Sequence, residues 1–381
     1  MPSWTVMMNL TNKFVAAILI LCLTLLSCKA EVYAASGDQE EQEVRAFLDK
    51  LYKQRADILV SRETDRLKEL YLHDNKVSKH ALRNEVNRTN YLNEWAIKRA
   101  IKLVKANSEI RIVRLRTSKD TAKISLVHSL KVDYTYTNKN VPVQSFGIGT
   151  EHYLTLKKLD DDWKVHKEWY LDPLDENPNK IAVTDDGTSP SVNYRQQPVD
   201  GKKYRRARAV EYANKYAGTA WGAGNNHRYN RKYADYSGKG GDCTNFASQA
   251  VGDEKEGGGL PMTGSWRYFA NKGGSEAWIR TDSFYNFLIY SGYGKLLARG
   301  QFRDIIAPSA KYPDGAISHI QPGDLIGYII SGSDVDHFSI VVGFDDYGYP
   351  LVNSHSADRY RVPFDLGWDQ YTKYLLVHIR D

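Results

Sequence analysis

At 381 residues, with 42% apolar and 26% charged side chains, the chain is long enough for about two packed domains and too apolar for wholesale disorder. Three cysteines cannot staple a chain of this length, so a disulfide scaffold is excluded. The net charge of +6 is mild and gives no ground for a nucleic-acid partner, while 26 Tyr and 8 Trp suit a surface that handles saccharides or peptides.

The first 34 residues have the pattern of an export signal. Lys13 supplies the positive end, and residues 14–26 form an uncharged apolar run that is short for a membrane span, which needs about 20 residues. Two exits fit. Val32-Tyr33-Ala34 offers a cleavage site after Ala34, and Leu25-Leu26-Ser27-Cys28 resembles a lipobox that would end the signal at residue 27 and lipidate Cys28. Either exit, or retention of the segment as an uncleaved anchor, predicts an extracellular or cell-wall-associated protein that meets a membrane only through the signal or the lipid. Cys22 lies inside the apolar run, so Cys243 is expected to be the one free thiol of the mature chain. An unpaired thiol in an oxidising compartment is a candidate reactive residue.

Residues 38–172 read as an accessory domain. Val44, Phe47, Leu48, Leu51 and Tyr52 begin a helical pattern that is expected to run, with breaks, to about residue 105. From Ala106 the period drops to two, and about four antiparallel strands follow, with Asp160-Asp161-Asp162 as a hairpin turn. The order of helices and meander weakly resembles the nuclear-transport-factor-like (cystatin-like) fold. No catalytic group stands out here, which favours a spacer or docking role. Residues 173–200, rich in Pro, Asp, Asn and Ser, read as an exposed linker. Residues 201–381 then open with a helix whose start is crowded by Lys202, Lys203, Arg205, Arg206 and Arg208. That cluster is either a solvated face or a handle for an anionic wall polymer.

The chemistry concentrates in Gly240-Gly241-Asp242-Cys243-Thr244-Asn245-Phe246. Two glycines make a tight turn, and the following residues carry a helical apolar stripe, so Cys243 is expected in the first turn of a buried helix. The helix N-terminus favours the thiolate, and backbone N–H groups there can hold an oxyanion. A thiol nucleophile needs a base. His337 begins a strand after a polar loop, Asp345-Asp346-Tyr347-Gly348 closes a hairpin, and the strand returns through Asn353 and His355, which share a face. Either could accept the imidazole N–H and fix its tautomer.

At these motifs (GGDCTNFASQ, QPGDLIGYI, DHFSIVVG and NSHSADR, with the Trp266 and Trp278 region between them) residues 201–381 resemble the putative amidase domain family, relatives of the CHAP and other papain-like cysteine amidases. The resemblance implies an α+β fold with a Cys-bearing helix on an antiparallel sheet that carries His337. It implies Asn353 as the orienting residue, with His355 as the alternative seen in other relatives. One departure is that Ser237 stands where papain-type enzymes place the oxyanion-hole Gln, which leaves the oxyanion hole to the backbone, with Asp242 shaping the turn. Together with export, the resemblance implies a peptidoglycan or peptide-amide substrate, and no cofactor.

Trp266, Trp278, Asp358 and Arg359 are candidate substrate contacts, with Asp358–Arg359 as a structural ion pair in the alternative. A metal site built on Asp336, His337, His355 and Asp358 lacks the His-Glu-x-x-His and paired-Cys patterns, so no metal is expected. A serine hydrolase lacks its Gly-x-Ser-x-Gly. The competing reading of the whole chain is a non-catalytic envelope-binding or assembly module.

Overall fold

The computed structural model describes residues 39–184 and 197–381. The expected signal with Cys22 and Cys28, and the middle of the expected linker, lie outside these residues. The described chain begins with helix α1 (39–61), a 3-10 turn (Thr64–Leu70) and helix α2 (Lys76–Lys98). Asn75 caps α2 by accepting from the backbone N–H groups of Val77 and Ser78 at 2.9 and 3.0 Å. Four long antiparallel strands follow: β1 (Ile101–Ser118), β2 (Thr121–Tyr136), β3 (Gln144–Leu159) and β4 (Asp162–Tyr170). The helical region stops earlier than expected. Ala100 takes a left-handed φ of 53°, and Ile101 and Leu103 are buried while Lys102 and Val104 are exposed, which is strand periodicity. The expected Asp turn closes the β3–β4 hairpin, with Asp160 and Asp161 at φ of 49° and 66°.

The second half contains α3 (Arg206–Lys215), α4 (Cys243–Gly252), the two-residue strands β5 (Tyr268–Phe269) and β6 (Gly273–Gly274), α5 (Glu276–Ile279), α6 (Thr281–Tyr290), β7 (Gly294–Gln301) and α7 (Phe302–Ile306). Strands β8 (Leu325–Ile329), β9 (His337–Phe344), β10 (Pro350–Ser354), β11 (Asp358–Pro363) and β12 (Lys373–Ile379) complete it. The class is α+β, as expected. Helices α3, α4 and α6 pack on one face of these strands through Ala213, Phe246, Ala250 and Phe284 against Phe338, Ile340 and Leu375. Arg206, read as part of a solvated basic cluster, is instead buried and paired with Asp324 at 2.7 Å.

The two halves share one sheet. Its order is β1-β2-β3-β11-β10-β9-β8-β12-β7, with β4 also paired to β3. The edge of β3 is divided: His152–Leu159 pairs with β4, and Gly147–Gly149 pairs with β11. Gly147 and Gly149 face the 219–221 backbone so closely that a Cβ on either would collide with Trp221 or Thr219. A common core reinforces the join, because Val362 and Leu366 pack with Leu92, Trp95 and Ile148. Buried Arg99 and Asp365 pair at 2.7 Å, and Asp365 also accepts from Trp95 and Tyr349 at 3.1 and 2.6 Å. Tyr134 and Tyr136 donate to Asp345 at 2.9 and 2.6 Å.

The first part of the expected linker is therefore not an exposed tether. Leu174 and Ile181 are buried in this shared core, and Gln370 N–H donates to the Lys180 carbonyl at 2.7 Å. Low periodicity hid this, because an irregular segment can be buried residue by residue.

Removing one partner of a buried pair leaves an uncompensated charge, at a cost of about 3–5 kcal/mol. Asp365→Ala should lose stability on that scale in urea unfolding. Far-UV circular dichroism and tryptophan fluorescence should still report one coincident transition, and two separated transitions would contradict a shared core.

Candidate active site

The glycine turn places Cys243. Gly240 and Gly241 adopt φ of 105° and 124°, a region that favours glycine, and a Cβ on Gly241 would press on the Ser356 hydroxyl at 3.0 Å. Asp242 follows, and α4 begins at Cys243 with every residue of the helix buried. Asp242 does not cap its own helix. Its Oδ1 accepts from the Tyr236 N–H and the Asn245 amide at 2.9 and 2.8 Å, and its Oδ2 meets His355 Nδ1 at 2.6 Å. Its own N–H donates to the Ser356 hydroxyl at 2.6 Å.

His355 is thereby committed. Nδ1 faces the Asp242 carboxylate, and Nε2 faces the Tyr216 carbonyl at 2.7 Å. Both partners are acceptors, so both nitrogens must donate, and only the imidazolium can do that. Burial opposes this charge, yet the Asp242 hydrogen bond, the nearby Asp358 and the Tyr216 carbonyl outweigh it and hold the His355 pKa above its ordinary 6.5. The ring lies between Phe246 and Tyr229, with centroids 3.9 and 4.3 Å away. It cannot also orient His337.

Cys243 is 6% exposed. Burial pushes its thiol up, against the lowering effect of the Phe338 N–H and of Thr244. The resting sulfur is thus a thiol, not the thiolate expected from the helix terminus alone. The Phe338 N–H belongs to the peptide just after His337, so the sulfur sits at the start of β9. His337 is 8% exposed, with ring centroids 5.6 and 5.5 Å from Tyr328 and Trp368. Burial and the Arg359 charge depress its pKa to about 3, so it is a neutral imidazole at neutral pH. Its Nε2 is buried with no hydrogen-bond partner. Among the described residues, no hydrogen bond joins His337 to Cys243, Asn353 or His355.

Residues 203–377 match the model of the putative amidase domain family. No curated protein matches the chain. Solved structures similar to it include the intermembrane-space region of chloroplast protein ARC6, at 9% identity with a TM-score of 0.24, over 34% of this chain and 95% of that one. A putative scytalone dehydratase from Novosphingobium aromaticivorans is 15% identical with a TM-score of 0.25, over 36% and 86%. LinA is 16% identical with a TM-score of 0.25, over 35% and 89%.

Within the matched residues the remaining predicted side chains are held by structural contacts. Asn353 donates to the Ala213 carbonyl and to Asn214 Oδ1 at 2.9 and 3.0 Å and accepts from the Arg361 N–H at 2.7 Å, so its amide ties β10 to α3 and β11 rather than to His337. Trp266 and Trp278 are fully buried and not substrate contacts. Their indoles donate to Ser248 and Asn245, both at 3.0 Å. Since Asn245 in turn donates to Asp242, Trp278 braces the turn before Cys243. Asp358 and Arg359 are neighbours on a strand and do not pair. The Asp358 carboxylate accepts from Thr219 N–H at 2.6 Å and from Tyr229. Arg359 donates to the Leu366 and Pro173 carbonyls and lies over Trp368.

Two features escaped the sequence reading. Asn245, Tyr216 and Ser356 hold the turn, and only Asn245, three residues after Asp242, had a local signal. The accessory half also buries a polar network, in which Arg55 pairs with Glu168, and Glu168 meets His152 Nδ1 at 2.8 Å and Tyr52 at 3.2 Å.

Because the His355 pKa is raised on folding, its contribution is complete below the unfolded value of 6.5 and is lost as pH rises through the folded one. His355→Gln should therefore cost most at about pH 6 and progressively less at alkaline pH. Urea midpoints of the two proteins across pH test this. A difference that is constant or grows with pH would contradict the buried imidazolium.

Proposed function

We propose that this protein is an exported cysteine amidase that cleaves amide bonds of peptidoglycan, with Cys243 as nucleophile and His337 as base. The observation that carries the reading is the placement of Cys243 as the first residue of a buried helix, its sulfur against the peptide that follows His337, inside a domain matching an amidase family. The resting pair is a neutral thiol and a neutral imidazole. Attack therefore couples to proton transfer. The S–H proton passes to His337, the sulfur–carbon bond forms, and backbone N–H groups at the start of α4 hold the oxyanion. As the C–N bond breaks, His337 gives that proton to the leaving amine. Water then attacks the thioester and gives a proton to His337. The carbon–sulfur bond breaks to release the carboxylic acid, and His337 returns that proton to sulfur, restoring the thiol. Export and a peptidoglycan substrate are supported by the apolar segment at 14–26 and by the family resemblance.

The non-catalytic reading draws on one observation, that neither Asn353 nor His355 reaches His337. Fragment release separates the two. Purified cell wall incubated with the protein should yield new soluble fragments by mass spectrometry, and Cys243→Ala should yield none. Equal release by both proteins would sink the cysteine mechanism, and no release by either would favour the binding module.

A second expectation concerns pH. Since His337 stays neutral down to about 3, kcat/KM should hold nearly level from about pH 7 to about pH 5. Alkylation of Cys243 in the free protein should accelerate only above the ordinary thiol range, because the thiol is raised. Rapid alkylation at acidic pH would show a preformed thiolate and overturn the neutral-pair resting state.

A further inference from the structure

The seam between the two halves contains a groove that the amide chemistry does not use. On the outer face of β3, Gly147, Gly149, Glu151 and Tyr153 alternate in a row. The two glycines let the 219–221 backbone lie directly on the strand. Where the glycines end, the wall opens. A cavity of about 240 Å³ runs past Tyr153, Trp169 and Leu171 of the accessory half, with Ser237 and Ser356 of the amidase domain opposite. It continues, sharing Glu151, Thr219 and Tyr229, into a second cavity of about 500 Å³ lined by Arg111, Arg228 and Arg231.

Both ends are built for a ligand. Tyr153 and Trp169 are cross-strand partners with ring centroids 5.9 Å apart, and with Leu171 they are 50%, 60% and 59% exposed, an apolar patch that the fold leaves uncovered. Flat amphipathic rings of this kind, opposite hydroxyls, suit the faces of sugar rings. At the other end, Arg111, Arg228 and Arg231 make no ion pair among the described residues. Against the carboxylates of Glu151 and Asp235 on the same lining, the three guanidinium groups leave this end with a positive excess that calls for carboxylates. The groove also touches the nucleophile turn. Ser356 accepts from Asp242 N–H, and Tyr229 stacks on the imidazolium that Asp242 holds.

We propose that this groove is a binding site for a carboxylate-bearing glycan, with sugar rings on Tyr153 and Trp169 and carboxylates on Arg111, Arg228 and Arg231. Resting on the wall-amidase reading, this makes the accessory half the part that grips sugar units already free of peptide, whose lactyl carboxylates are exposed, while a peptide on a neighbouring unit of the strand reaches Cys243. Its test is binding in a Cys243→Ala background, which does not depend on whether the wall is cut. The probes are purified peptidoglycan and glycan strands freed of their stem peptides, which expose lactyl carboxylates. The parent should sediment with the insoluble peptidoglycan and bind the soluble stripped strands in isothermal titration, and added salt should weaken binding to both. Tyr153→Ala with Trp169→Ala should weaken it at least tenfold, and Arg228→Ala with Arg231→Ala should flatten the salt dependence. Tyr290→Ala, which removes an exposed ring elsewhere, should bind like the parent. These side chains are at the surface, and unchanged thermal midpoints confirm the fold. Parent-like binding by the aromatic double variant, no sedimentation of the parent, or retention on intact wall but not on stripped strands would each overturn the proposal. Wall that is bound but never cut would defeat the amidase reading and leave this one standing.

Discussion

The register of β11 on β3 is the constraint from which the rest follows. Asp358, Arg359 and Tyr360 pair with Gly149, Ile148 and Gly147, and this short ladder joins the strands of both halves into one sheet. It works only because positions 147 and 149 lack side chains, which lets the 219–221 backbone settle on the strand. The pairing also aims Asp358 at Thr219 and Tyr229, so the segment on the outer face is held by a buried carboxylate rather than by apolar contact alone. A one-residue slip would turn Asp358 to the other face and release both partners.

From that anchor a chain of contacts leads to Cys243. Tyr229 stacks on His355, His355 pairs with Asp242, and Asp242 fixes the turn that starts α4. Charge is segregated along it. His355 carries a proton because both of its neighbours accept, while His337 is stripped of one by burial and by Arg359. The two histidines thus differ in charge: His355, in the turn just beyond β10, is a fixed cation that shapes the Cys243 turn, and His337, at the start of β9, is a neutral imidazole near the thiol.

Much of this was legible in the sequence where local chemistry decides the outcome. The Gly-Gly turn, the helix opening at Cys243, the strand opening at His337 and the Asp hairpin at 160–162 follow from residue types and spacing. What stayed hidden depends on partners distant in sequence. Asn353 lies on β10 as expected, whereas His355 falls in the turn just past its end rather than on the same strand face, and nothing local shows that Ala213, Tyr216 and Asp242 claim their polar atoms first. Trp266 and Trp278 read equally as rim or core, and burial decides for core. The alternation of Gly147, Gly149, Glu151 and Tyr153 is visible in the sequence, yet its meaning appears only when the 219–221 segment lies across it.

The most direct measurement is intact-mass and peptide-mapping analysis of the full-length protein quenched in acid during turnover of a soluble peptide-amide fragment of cell wall. An acyl adduct confined to the peptide containing Cys243, present in the wild type and strongly reduced in His337→Ala, is the expected result. Continued amide cleavage by Cys243→Ala, or an adduct on another residue, would contradict Cys243 as the nucleophile.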